Sequence, residues 1–239
     1  MKSYGVTDIG LLRKYNQDYA LECDERIGNL SNLYVVCDGL GGHNAGEYAS
    51  SAAAENFFDF VEFSDSKMPL SILKEAVSKT NRLVFDAGQE PAYQGMASTL
   101  VGITVVDNTA YVVNVGDSRA YVIGPDDITQ ITMDHSYVAE LVRNGQITKD
   151  EARFHKKNNV ITRAVGAAMS VKPDFFQVDL EDNEILLLCS DGLYNMVSDI
   201  TIQSVVSSHN TLKAKAERLI NLANEAGGKD NIAVVLISK

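Results

Sequence analysis

Four aspartates in this chain stand at the ends of apolar runs or just ahead of one. VVCDG ends in Asp38, VVNVGD in Asp117 and LLLCSDG in Asp191, while Asp230 precedes the last run in GGKDN. Each has a glycine beside it or within three residues. One Asp-Gly pair after a strand is an ordinary turn signal. Four carboxylates gathered at sheet ends would repel one another unless positive charge sits among them, and a cation is the economical solution. The candidate ligands are all oxygen donors, with neither thiolate spacing nor paired histidines. That selects Mg²⁺ or Mn²⁺, with Ca²⁺ as the remaining alternative, over zinc or copper. So many carboxylates exceed the need of one ion, so two ions sharing a bridging carboxylate is the stronger version. A pair of ions ~3.5–4 Å apart can polarise a phosphoryl group and turn water into a nucleophile near neutral pH.

The elements that must position these groups are legible in outline. LYVVCDG (33–39), STLVGITVVDN (98–108), TAYVVNVGDSRAYVIG (109–124), EILLLCSDG (184–192) and NIAVVLIS (231–238) are apolar and rich in β-branched residues. The segment VGITVVDNTAYVVNVG predicts a hairpin turning at Asp107-Asn108. Ala49, Ala52, Ala53, Phe57 and Phe60 share one face of a helix beginning near Ala45. Leu70, Leu73, Val77 and Val84 mark a second helix, entered through Pro69. Leu212, Leu219, Ile220 and Ala223 mark another, stopped by Gly227-Gly228, and a shorter one covers 199–208. Hairpin-linked strands with grouped helices indicate an α+β layered fold with antiparallel sheets, not a doubly wound parallel one. The stretch 134–165 is polar, carries the basic cluster Arg153, His155, Lys156 and Lys157, and reads as an excursion from the sheets.

The gross composition narrows the classes. A chain of 239 residues, 45% of them hydrophobic, can bury a substantial core as one domain over 1–239. No apolar run approaches the ~18 residues of a membrane span, and MKSYGVTDIG lacks a signal-peptide core. The expectation is a cytoplasmic protein without membrane contact. Cys23, Cys37 and Cys189 are an odd number without CxxC spacing, which argues against a disulfide framework or zinc. Neither Cys37 nor Cys189 is followed by arginine six positions on, so a cysteine-phosphatase loop is absent. The net charge of −11 disfavours nucleic acid as a partner. It fits carboxylates reserved for cations equally well, and composition alone does not separate the two.

Seven segments, in order, carry a resemblance: TDIGLLRKYNQD (7–18), VCDGLGGHNAGEYAS (36–50), MASTL (96–100), NVGDSRAY (114–121), NVITRAVG (159–166), CSDGLYNMV (189–197) and GGKDNIAVVLI (227–237). Together they span nearly the whole chain and resemble the metal-dependent serine/threonine protein phosphatases of type 2C, in their short bacterial form. The resemblance implies a four-layer αββα sandwich of two antiparallel sheets between helix pairs, with 134–165 as the family's flap. It implies a centre of two Mn²⁺ or Mg²⁺ ions at one edge of the sheets. Asp38 would bridge them, the Gly39 carbonyl would join one ion, and Asp191 and Asp230 would bind the second. Asp18 would hold water in the outer shell, and Asp117 would serve a third, weaker site. Arg13 would grip the substrate phosphate with its planar fork, and His43 would be the general acid for the leaving alkoxide. The reaction implied is in-line attack on phosphorus by a metal-bridging hydroxide, without a phosphoenzyme. Asn195 stands where some members carry aspartate, which weakens the third site or leaves it to Asp117 and Asp191. Phosphorylated proteins and a cognate serine/threonine kinase would be the partners, and a monomer is the expectation.

Two rivals remain at the level of sequence. A two-metal nuclease or phosphodiesterase would need a basic groove, against which the charge of −11 speaks. A non-catalytic phosphoprotein-binding module on the same fold predicts eroded ligands, whereas Asp38, Asp191, Asp230 and Arg13 are all present.

Overall fold

A computed structural model describes residues 1–42, 44–148, 151–152 and 154–239, without the side chain of Asn44. Two antiparallel sheets lie face to face. One has the order β1 (Lys2–Asp8), β11 (Ile232–Ser238), β10 (Ile185–Cys189), β7 (Arg119–Ile123), β8 (Ile128–Gln130). The other runs β2 (Asp18–Cys23), β3 (Leu33–Leu40), β5 (Leu100–Val106), β6 (Thr109–Val115), β9 (Asp174–Asp179), with the short β4 (Ala97–Ser98) beside β3. Helices α1 (Asn44–Glu62) and α2 (Pro69–Ala87) cover the second sheet. The short α4 (Asp191–Tyr194), with α5 (Asp199–Val206) and α6 (Leu212–Glu225), covers the first. Helix α3 (Tyr137–Arg143) lies in the stretch between β8 and β9.

The four layers follow from period-two alternation along the buried strands. On β3, Leu33, Val35 and Cys37 pack against α1 and α2, whereas Tyr34 and Val36 face the opposite sheet. On β10, Leu187 and Cys189 meet the helices, while Leu186 and Leu188 enter the inter-sheet core. On β11, Ile232, Val234 and Leu236 face out to α6, and Ala233, Val235 and Ile237 face in. Both faces of these strands are dry, so they read as continuous apolar runs. The same parity puts Asp38, two residues beyond Val36, on the side facing the other sheet.

Several sequence expectations need correction. The run 109–124 is two strands in different sheets: β6 ends at Val115, Gly116-Asp117-Ser118 crosses over, and β7 begins at Arg119. Strands β1, β2 and β9 have no counterpart among the expected runs. On α2, Leu70 is 37% exposed, and Ile72 takes its place in the core. The hairpin does turn at Asp107-Asn108 as expected, with Asp107 at φ 54°. Helices α1, α2, α5 and α6 lie where periodicity puts them.

Candidate metal centre

Asp38 and Asp18 face each other directly across the β2–β3 pair. The backbone around Asp38 is fixed from a distant segment. Its N–H donates to Thr99 Oγ1 at 2.8 Å, and its carbonyl accepts from the Thr99 N–H at 2.8 Å and from Ser98 Oγ at 3.1 Å. Thr99 Oγ1 also meets Ser118 Oγ at 2.7 Å, which ties Asp38 to the crossover carrying Asp117. Asp18 is held from the other sheet, since Ser190 Oγ donates to its Oδ2 and accepts from the Ala233 N–H at 2.8 Å. Ser190 immediately precedes Asp191. Through these two hydroxyls, carboxylates from both sheets share one edge of the sandwich.

The glycine after each central aspartate is there for close approach, not for a turn. A Cβ on Gly39 would stand 1.9 Å from the Gly46 carbonyl oxygen, and one on Gly192 would stand 1.9 Å from that of Asn231. Asp38-Gly39 lies inside β3, opposite Ser98 in β4, and Asp191-Gly192 opens α4. The turn interpretation of these two Asp-Gly pairs is therefore excluded.

Asp230 and Arg13 meet through a third connection. Asn231 donates to the carbonyls of Ile9 and Tyr15, both at 2.9 Å, and its Oδ1 accepts from the Gln17 N–H at 2.9 Å. This staples the loop between β1 and β2 to the start of β11. Arg13 Nη2 then reaches Asp230 Oδ2 at 2.7 Å, with both side chains still partly open to solvent. Asn195, at the end of α4, donates to Asp191 Oδ2 at 3.1 Å. It acts here as a partner of a carboxylate rather than as a further charge.

The electrostatics describe a crowd of like charges. Burial pushes Asp38 well above the usual carboxylate range, and Asp18, Asp191, Asp117 and Asp230 each push it further. Asp18 is raised by burial and by Asp191 and Asp230, against the Ser190 hydrogen bond and Arg13. Asp117 is pushed up to about 8, by burial first and then by Asp191 and Asp134. Asp191 rises to about 7 through burial and Asp230, with Arg13 and Arg119 opposing. Among the described residues, no three His, Cys, Asp or Glu stand ready around a single point. The donor set is nevertheless all oxygen, strongly acidic and under-compensated. It fits hard divalent cations such as Mg²⁺ or Mn²⁺.

Asp18, Asp38, Gly39, Asp117, Asp191, Asp230 and Arg13 thus gather at one edge of the two sheets. His43 and Arg153 lie outside the described residues. His155 and Lys157 make local contacts: Lys157 Nζ sits 5.0 Å from the centre of the Tyr137 ring, and His155 Nδ1 accepts from the Lys157 N–H. Thr99, Ser118, Ser190 and Asn231 all lie inside the segments that carry the resemblance, yet nothing in their local sequence marks them as site residues. Their partners are distant in sequence, 172 positions for Ser190 with Asp18, so spacing carried no signal.

The family model for Protein phosphatase 2C matches residues 16–232. The chain is 39% identical over 238 residues to the protein phosphatase PhpP of Streptococcus pneumoniae (strain R6), covering 98% of this chain and 95% of that protein. It superposes on the S. agalactiae serine/threonine phosphatase with a TM-score of 0.93 at 34% identity, covering 99% and 98% of the two chains. The catalytic domain of the serine/threonine protein phosphatase PstP, in complex with two manganese ions, gives a TM-score of 0.85 at 33% identity over 98% and 96%. The chain belongs to the protein phosphatase 2C family and is a serine/threonine protein phosphatase.

Proposed function

We propose that this chain hydrolyses phosphoserine and phosphothreonine monoesters on proteins at a centre for two Mn²⁺ or Mg²⁺ ions. Asp38, the Gly39 carbonyl, Asp191 and Asp230 would hold these ions, with Asp117 serving a weaker third. The observation that carries this reading is the convergence of carboxylates from both sheets: Asp18 lies opposite Asp38 across β2–β3, Ser190 ties Asp18 to the segment bearing Asp191, and the charges of Asp191 and Asp230 raise Asp38 and Asp18 further. Ions bound there would supply Lewis acidity toward phosphoryl oxygens and make water more acidic.

The chain's own groups supply the rest. Arg13, half-exposed at the rim, can turn its fork from Asp230 to a phosphate dianion. Asp18 has one oxygen occupied by Ser190, and its other oxygen can hold a water by a hydrogen bond. His43 is assigned proton delivery to the departing serine or threonine oxygen, on the strength of its place in GGHNAGE. Phosphorylated proteins would be the substrates and a serine/threonine protein kinase the opposing enzyme, with the chain acting as a cytoplasmic monomer. No helix among the described residues is long and apolar enough to cross a membrane.

The test is a metal-titrated assay on phosphothreonine, phosphoserine and phosphotyrosine peptides beside an aryl phosphodiester. Mn²⁺-dependent turnover favouring phosphothreonine or phosphoserine is expected. Faster diester cleavage, or turnover that survives chelation, would overturn the proposal.

A further inference from the structure

Beside Arg13 the loop between β1 and β2 forms a pocket of about 260 Å³, lined by Arg13, Lys14, Tyr15, Gln17 and Gly41. That is below the ~300–1,000 Å³ of sites for whole small molecules, and suits one or two side chains. The walls are built rather than frayed. The Leu11 and Leu12 N–H groups both donate to the Gly228 carbonyl, at 2.8 and 3.2 Å, and the Tyr15 carbonyl is held by Asn231. Gln17 Nε2 closes the floor by donating to the Gly41 carbonyl at 3.2 Å. The two cations differ. Arg13 is matched by Asp230 at 2.7 Å. The exposed Lys14 ammonium has no ion pair, hydrogen bond or ring contact among the described residues. Tyr15 keeps 48% of its surface open beside it.

An unmatched cation in a pocket beside the phosphate-gripping arginine, in a chain of net charge −11, favours an anion from outside. We propose that this pocket seats the side chain of an aspartate or glutamate next to the substrate's phosphoresidue, with Lys14 pairing its carboxylate and Tyr15 walling its stem. An extended peptide advances ~3.3–3.6 Å per residue. One or two positions from a phosphate held at Arg13 is thus a separation of ~3–7 Å along the peptide, comparable with the ~3.8 Å between the Cα atoms of Arg13 and Lys14, which line the same pocket. The ammonium is a flexible point charge, so it reads charge rather than shape. The inference rests on the phosphatase reading above and names the substrate class of that same site.

The test uses the full chain with Mn²⁺ and matched phosphothreonine peptides bearing Glu, Ala or Lys at the two positions on either side. Wild type should show kcat/KM in the order Glu, Ala, Lys, with steps of about three- to fivefold, as expected of a solvent-exposed pair. Lys14→Ala should level the series, Lys14→Glu should reverse it, and Lys14→Arg should keep it. Equal kcat/KM for the three peptides in wild type, or an unchanged order in Lys14→Glu, would overturn the assignment while leaving the phosphatase reading intact. If wild type turned over none of them, the phosphatase reading would fail and this assignment with it.

Discussion

Two polar clusters lie within a few residues of each other and have opposite charge balance. In the first, Asp18, Asp38, Asp117 and Asp191 crowd together, and Arg13 at their rim is spent on Asp230. In the second, every carboxylate has its cation. Arg119 pairs with Asp134 through Nε and Nη2, the latter at 2.7 Å, stacks 3.5 Å from the centre of the Tyr194 ring, and donates to Tyr121 Oη. Asp174 takes Arg163 on one oxygen and His135 on the other, both at 3.0 Å. Burial works against the charge of Asp174, yet His135 and Arg163 hold it below the usual carboxylate range. Burial likewise pushes His135 below its usual range. Its Nδ1 accepts from the Gly116 N–H at 3.1 Å, which leaves Nε2–H to donate to Asp174. A buried cluster that balances itself is structural, while one that does not is arranged for a charge the chain lacks. The two touch at Gly116, where His135 grips the backbone next to Asp117.

Mutations should separate the clusters by what they damage. The largest effect belongs to Asp38→Asn, expected to lower Mn²⁺-dependent kcat/KM on a phosphothreonine peptide by about 10³-fold or more. That exceeds the ~10–100-fold cost of losing an outer-shell group. In the balanced cluster, Arg119→Ala strands a largely buried Asp134 and should cost about 3–5 kcal/mol of stability, read from denaturant midpoints. A loss below 1 kcal/mol would deny the pair its structural role. Arg13→Ala removes a charge-assisted contact worth ~1.5–3 kcal/mol, and should raise KM about 10–100-fold. An unchanged KM would take the phosphate away from Arg13. Arg82→Ala is the control, since its pair with Asp86 on α2 is exposed and should matter by under ~0.5 kcal/mol.

How much of this could be read in the sequence depended on burial. Strand β3 was legible because Leu33 to Cys37 are buried on both faces. Strands β1, β2 and β9 were not, since KSYGVTD, DYALEC and DFFQVD are half-exposed and alternate weakly. The apolar run through Gly116 looked continuous because both halves are buried strands, and only tertiary pairing sends them to different sheets. In the acidic cluster Asp38, Asp117 and Asp191 were visible one at a time from their strand-end positions, and Asp18 only through the resemblance. Their convergence was an inference from repulsion and resemblance until the two sheets put them at one edge. The hydroxyls of Thr99 and Ser190 and the whole Arg119–His135 cluster had no local signature, because their partners are set by the fold.

The central claim, that the crowded carboxylates are kept for cations, is tested most directly by thermal unfolding of Asp191→Asn beside wild type. Asp191 keeps its proton in the folded chain up to about pH 7, whereas its ordinary value is 3.8. Its contribution to stability is therefore greatest below about pH 4 and falls as pH rises toward 7. In chelator, Asp191→Asn should melt above wild type, with a gap that opens from about pH 4 to about pH 7. In Mn²⁺ at pH 8 the order should reverse, because wild type alone gains the full binding free energy. A variant that melts below wild type in chelator, or an order that Mn²⁺ leaves unchanged, would contradict the claim.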